Sequence, residues 1–346
     1  MKAAVIDCYG ANDVVHVVDM PVPAIGAMDL LVRVHAASVN PLDTKTRAGQ
    51  LKVLLKYRFP LILGNDLSGV VVDMGEQVTR FKKGDAIYAR LDKDRIGAFA
   101  EFAVVRESAA APKPASLTFE EAASLPLVAL TAWQALVEVG KLRAGQRVLI
   151  HAGSGGVGSV AIQLARHLGA EVLTTVGQRN FDLVKRLGAD VAIDYRSARF
   201  DDIAKDCDLV LDSAGGDTLV RSFACVKPGG VVVSIGSTPS TAFARQWGLN
   251  AFIVFVIGLM ARKVTAAARR HQARYEYLFM RANGDQLRGI TQLVESGAIK
   301  PLVDKVFALD QVRDALAYSE SGRATGKVVI KIGCRPQLAP CSNVEP

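Results

Sequence analysis

The chain has 346 residues, half of them hydrophobic, which suffices for two packed cores and is too apolar for extensive disorder. Its net charge of +8 would attract polyanions, but the basic residues are dispersed apart from small concentrations at 80–83 and 262–274. No basic tract carries interleaved aromatics, so no specific nucleic-acid partner is expected. The five cysteines, Cys8, Cys207, Cys225, Cys334 and Cys341, form no C-x-x-C pair, which argues against a disulfide framework or a thiolate zinc site and for a reducing, cytoplasmic setting.

From residue 2 to about 105 the pattern is short β-rich runs divided by glycine, at 3–6, 30–39, 69–73, 86–89 and 100–105. Such frequent strands predict a small barrel or sandwich, and the N-terminal run lacks the apolar core of a signal peptide. Pro112-Lys113-Pro114 then punctuates the chain before an apolar helical stretch over 119–139.

After Gly145 the rhythm becomes strand, helix, strand, with strands predicted at 147–151, 171–176, 191–195, 207–213 and 231–235 and helices at 157–168, 180–187 and 218–226. This alternation predicts an α/β fold with a doubly wound parallel sheet. Residues 247–261 are almost wholly apolar but shorter than the roughly 20 residues of a membrane span, so a buried helix at a subunit or domain interface is expected, in preference to peripheral membrane contact. The domain expectation is 1–123 for the substrate domain, 124–274 for the dinucleotide domain, 275–332 for a return segment, and 333–346 for a loose tail.

The strongest local signal is the run from Val148 through Ala152-Gly153-Ser154-Gly155-Gly156-Val157-Gly158, a β-branched strand entering a helix. Glycines there permit a tight turn, backbone approach to a pyrophosphate and close helix packing, while the helix N-terminus offers amides. An acid about 20 residues later would hold the ribose 2′-hydroxyl of NAD, but the chain reads Thr174 to Asn180 without one. Gly177 leaves room, and Arg179 is positioned to pair with the 2′-phosphate of NADPH, with Tyr195 as a second contact.

The series Ser38-Val39-Asn40-Pro41-Leu42-Asp43, Gly64 to Gly69, Leu130-Thr131-Ala132, His151 to Gly158, Leu187 to Asp190 and Ala324 to Lys327 resembles the zinc-independent quinone oxidoreductases of the medium-chain dehydrogenase/reductase superfamily. Zeta-crystallins, plant alkenal and enone reductases and mitochondrial reticulon-interacting oxidoreductases share it, and the likeness spans about residues 1–332. It implies a Rossmann domain joined to a GroES-like β-barrel substrate domain and a homodimer. It also implies NADPH-dependent hydride transfer to a quinone or an α,β-unsaturated carbonyl. Zinc relatives carry a cysteine and a histidine–glutamate pair where this chain has Asn40 or its neighbours and Asn65-Asp66, so no metal site is expected.

The resemblance places Asn40 and Asp43 at the nicotinamide and acceptor mouth, Thr131 beside the ring, and Ala214, Ser234, Ile235, Gly236 and Ser237 along the cofactor. Lys45 matches a lysine of the plant enone-reductase pattern, Tyr57 is a second acceptor candidate, and Lys327 resembles a residue near the cofactor. Two other readings stay open: a regulatory or RNA-associated NADPH-binding protein with little turnover, and a membrane-associated electron carrier docking through 247–274.

Overall fold

The computed structural model describes residues 1–236 and 238–333; Ser237 and the expected tail from 334, with Cys334 and Cys341, lie outside the described residues. The first domain is built around the long strand Asp29–Val39, whose alternating burial identifies one face toward a core. It pairs antiparallel with Asp66–Met74, Phe102–Arg106 and Lys327–Lys331, and register shifts at Leu31/Val32 and Val34/Ala36 bend it so that the sheet curls into a barrel. Completing the sheet are Val303–Ala308, Ala86–Arg90 and Ala110–Pro112, while His16–Asp19, Lys2–Ile6 and Leu61–Ile62 form a small sheet alongside.

The second domain is a six-stranded, wholly parallel sheet. In spatial order its strands are Val191–Asp194, Glu171–Val176, Arg147–Ile150, Cys207–Asp212, Val226–Ser234 and Arg274–Tyr277. The order reverses between Arg147–Ile150 and Cys207–Asp212, and in such sheets the crevice beyond the strands' carboxyl ends at this point receives ligands. Helix Gly156–His167 covers the sheet with Val160, Ala161, Leu164 and Ala165 buried, and its last turn carries Arg166 and His167, which suit the negative end of its dipole.

Two expectations need correction. The apolar stretch 119–139 is three pieces, Phe119–Ala123, Pro126–Trp133 and a wide π turn Gln134–Val139, because Pro126 starts a new helix and cannot continue the old one. Strand Arg274–Tyr277 pairs with Val231–Ser234, so the parallel sheet runs to Tyr277, past the expected limit of 274; its polar edge sequence gives no alternation to read. The segment 247–261, expected as a buried helix at a subunit or domain interface, is left uncovered by the rest of the chain over Ala251–Met260: that helix has no buried residue, and Phe252, Phe255 and Met260 are 75%, 64% and 65% exposed, whereas Ala261 after it is buried.

His151 is buried just after strand Arg147–Ile150, with its ring nitrogens 3.0 Å from Thr175 Oγ1 and 2.9 Å from Ser222 Oγ. Burial lowers its pKa from 6.5 to about 4, with Arg221 adding to the effect. A group depressed in this way contributes stability that is present above pH 6.5 and lost as pH falls through 4. Unfolding midpoints measured from pH 7 to 4 should therefore decline, and His151→Gln should flatten that decline; an unchanged slope would refute the assignment.

Candidate active site

The chain leaves strand Arg147–Ile150 and turns through Ala152 to Gly155 before the helix begins at Gly156. Two glycines are obligatory by contact: a Cβ on Gly153 would lie 2.1 Å from Thr174 Oγ1, and one on Gly158 2.3 Å from the Ala152 carbonyl oxygen. At Gly155 only that same carbonyl lies near, at 3.3 Å, leaving the backbone open for a ligand. The first-turn amides of this helix have no intrahelical acceptors and form an anion cradle. The barrel domain is tied to the same loop, for Gly326 N donates to Ser154 O at 2.8 Å and Gly155 bridges Gly326 in parallel register.

Between the two domains runs a cleft of about 480 Å³. It is lined by Gly155 to Gly158, Ala214, Ile235 and Gly236, and by Asn40, Lys45, Leu51, Leu127, Thr131, Tyr277 and Phe279. A glycine cradle continuous with an apolar chamber fits a dinucleotide whose ring must meet a second, apolar reactant away from water. Thr131 donates its hydroxyl proton to Leu127 O at 2.6 Å, and half-buried Lys45 places Nζ 3.4 Å from Gly236 O across the cleft.

Beneath Asn40 lies a buried polar cluster. Asp66 receives hydrogen bonds from Leu127 N, Ser38 Oγ and Asn40 Nδ2, each at 2.9 Å. Lys327 donates to Val39 O at 2.9 Å and Asn40 Oδ1 at 2.5 Å, with Nζ 3.7 Å from Asp66. Only donors meet Asp66 and only acceptors meet Lys327, the pattern of an ion pair, although burial pushes the carboxyl up and the ammonium down. Asp43 is fully enclosed, accepting from Asn65 Nδ2 and Asn40 N at 2.7 Å each, and burial raises its pKa to about 6.

The sequence-derived residues therefore divide. Asn40, Lys45, Thr131, Gly155 to Gly158, Ala214, Ile235, Gly236 and Lys327 meet in the cleft wall. Asp43 lies behind Asn40 rather than at the acceptor mouth, because its carboxylate closes the capping box of helix Pro41–Arg47. Tyr57 lies off the cleft wall, its hydroxyl donating to Lys93 O at 2.6 Å. Ser234 is buried with its hydroxyl donating to Asp212, inside the sheet rather than along the cleft.

Ser154, Gly177, Arg179 and Tyr195 form a separate patch beyond the cleft. Asn180 Nδ2 donates to Ser154 Oγ, Arg179 Nη2 lies 3.3 Å from Arg323 O, and exposed Tyr195 borders Gly177. Sequence reasoning missed Arg323 here, and it missed Asp66, Arg90, Tyr277 and Phe279 in the cleft region. Asp66 follows the quoted Gly64-Asn65 motif, yet nothing in that run shows that its carboxylate is the hub of the cluster. Arg90 is wholly buried, donating to Leu91 O with Nε and Nη2 unpartnered.

Two family models match the chain: an alcohol dehydrogenase GroES-like domain over residues 26–115 and a zinc-binding dehydrogenase over 187–330. The zebrafish (Danio rerio) mitochondrial NAD(P)H oxidoreductase RTN4IP1 is 36% identical, with 96% of this chain and 91% of the relative covered. The Arabidopsis thaliana chloroplastic NADPH-dependent alkenal/one oxidoreductase is 34% identical over 95% and 79%. Among solved structures, the quinone oxidoreductase of Coxiella burnetii superposes with a TM-score of 0.84 at 34% identity, covering 96% of this chain and 99% of that one.

With the cleft, the glycine loop and these likenesses together, the chain belongs to the medium-chain dehydrogenase/reductase superfamily, among its quinone oxidoreductases and alkenal/enone reductases. Its residues do not fit the zinc named by one of the models. Asn40, Asn65 and Asp66 are held to one another and their neighbours by hydrogen bonds, and among the described residues no group of three His, Cys, Asp or Glu side chains could hold a metal ion.

Proposed function

We propose that this chain is a zinc-independent, NADPH-dependent reductase of quinones or α,β-unsaturated carbonyls. The observation that carries the reading is the single cleft joining an open glycine cradle to an apolar chamber with few polar groups. When bound, the dihydronicotinamide supplies a hydride to an electron-poor carbon, and negative charge develops on the acceptor's oxygen. Gly155 to Gly158 hold the pyrophosphate, and Leu51, Leu127, Tyr277 and Phe279 exclude water and orient the acceptor.

Asn40, fixed by Ser38, Asp66 and Lys327, holds the chamber wall beside Thr131. Lys45, half-buried in the cleft wall, supplies a cation for the oxygen that gains charge, and water can return the proton. The reaction is tested by following NADPH oxidation against a quinone and several 2-alkenals, with a chelator control. Turnover insensitive to the chelator is expected; silence on both acceptor classes would favour a binding role with little turnover.

The patch of Ser154, Gly177, Arg179 and Tyr195, with Arg323 beside it, receives the 2′-phosphate. A charge-assisted hydrogen bond contributes about 1.5–3 kcal/mol, so Arg179→Ala should weaken NADPH binding by roughly 10- to 100-fold while leaving NADH nearly unchanged. Titration of cofactor fluorescence checks this, and an equal loss for both cofactors would remove Arg179 from the phosphate site. We further infer a homodimer in a reducing, cytoplasmic compartment, in line with the family resemblance and with free Cys8, Cys207 and Cys225; equilibrium sedimentation tests the dimer.

A further inference from the structure

Helix Ala251–Met260 stands out as the most apolar element with the least cover. All ten of its residues are nonpolar or glycine, none is buried, and Phe252, Phe255, Leu259 and Met260 are largely exposed. Its successor, Arg262–Arg270, is anchored: Val264, Ala267 and Ala268 pack into the core under the parallel sheet while Arg262, Lys263, Arg269 and Arg270 face solvent. The two meet at 59°, and neither is long and apolar enough to cross a membrane.

The charge along this part of the chain is one-sided. From residue 218 to 275 the sequence contains no Asp or Glu but eight Lys and Arg, a number equal to the net charge of the whole chain. Arg221 and Lys227 pair with Asp201 and Asp208, whereas Arg245, Arg262, Lys263, Arg269, Arg270 and Arg274 form no ion pair among the described residues. A second copy on this face would appose like charges. An anionic bilayer satisfies both features, with the apolar side chains entering the headgroup boundary and the cations at the phosphates.

The lobe also backs the acceptor chamber. Phe243 stacks edge-on at 4.8 Å from Tyr277, and Trp247 lies 5.0 Å from Phe279, both partners being chamber residues. We propose that the helix pair docks the protein on an anionic membrane surface and that the chamber draws a lipid-soluble acceptor, one with a long hydrocarbon tail, from that surface. The choice of acceptor rests on the reductase reading; the docking does not.

The test uses the full chain, flotation with vesicles of phosphatidylcholine alone or with phosphatidylglycerol, and turnover of a short-chain quinone in solution beside a long-tailed quinone embedded in those vesicles. Wild type should float with the anionic vesicles at least about tenfold more than with the neutral ones and be released by high salt. Phe252→Ser/Phe255→Ser and Arg262→Glu/Lys263→Glu should each abolish flotation and lower the embedded-quinone rate at least about tenfold, while short-chain turnover, which also reports intact folding, stays unchanged. Flotation equal in variants and wild type, or none by wild type, overturns the docking. So does a wild-type dimer that Phe252→Ser/Phe255→Ser converts to monomer without vesicle binding, since a second copy then covers the helix. Absence of wild-type turnover on the short-chain quinone and on 2-alkenals alike would instead refute the reductase reading and leave the flotation result standing on its own.

Discussion

Lys327→Met is expected to destabilise the chain by about 3–5 kcal/mol and to slow turnover about tenfold or more. Lys327 is 6% exposed, and its removal would leave the Asp66 carboxylate enclosed, with buried Arg90, whose Nε and Nη2 are unpartnered, as the other cation acting on it. It would also release Asn40, whose Oδ1 is held by Lys327 and whose Nδ2 is held by Asp66. Breaking one partner of a buried pair costs far more than the pair itself contributes, so Lys327→Met/Asp66→Asn should lose clearly less than the sum of the two single variants. Denaturant midpoints of the four proteins decide the matter. Strict additivity would show that the two charges are not coupled, and a Lys327→Met protein of full stability would show that the ammonium is not buried as described.

Gly158→Ala is the second large effect, expected to weaken NADPH binding about 100-fold. A methyl group there would meet the Ala152 carbonyl at 2.3 Å and Gly153 Cα at 2.8 Å, both backbone atoms of the loop proposed to cradle the phosphates. No side-chain rotation relieves that overlap, so the loop must move off the helix N-terminus and its amides lose their aim. Gly155→Ala is the companion variant, since its nearest neighbour lies at 3.3 Å and its loss should be smaller. Calorimetric titration of both proteins with NADPH checks the order; a Gly155→Ala loss larger than that of Gly158→Ala would mean that open backbone, not helix packing, limits the site.

The elements that organise the site were legible because their signals are local. Residues 171–176 were predicted as a strand and form one, and the glycine run at 153–158 opens a helix as its spacing requires. Those residues act through backbone conformation and immediate neighbours, which a linear pattern encodes. Misreadings arose where burial depends on distant chain. Asp43 looks like a mouth residue in sequence, but its capping box and Asn65, 22 positions away, enclose it.

Taken alone, the sequence determined the α/β alternation, the glycine-rich loop and the absence of an acid after the second strand of the dinucleotide domain, and its family resemblance implied that Asn40 or its neighbours and Asn65-Asp66 stand where zinc relatives carry ligands. The tertiary structure decided that Lys327, which the resemblance sets near the cofactor, crosses 287 positions to grip Asn40, and that Tyr277 and Phe279 line the chamber. It also decided that the apolar helix Ala251–Met260 faces outward. The reason is physical: hydrophobic content and local conformation are written residue by residue, whereas enclosure and charge pairing depend on which segments the fold brings together.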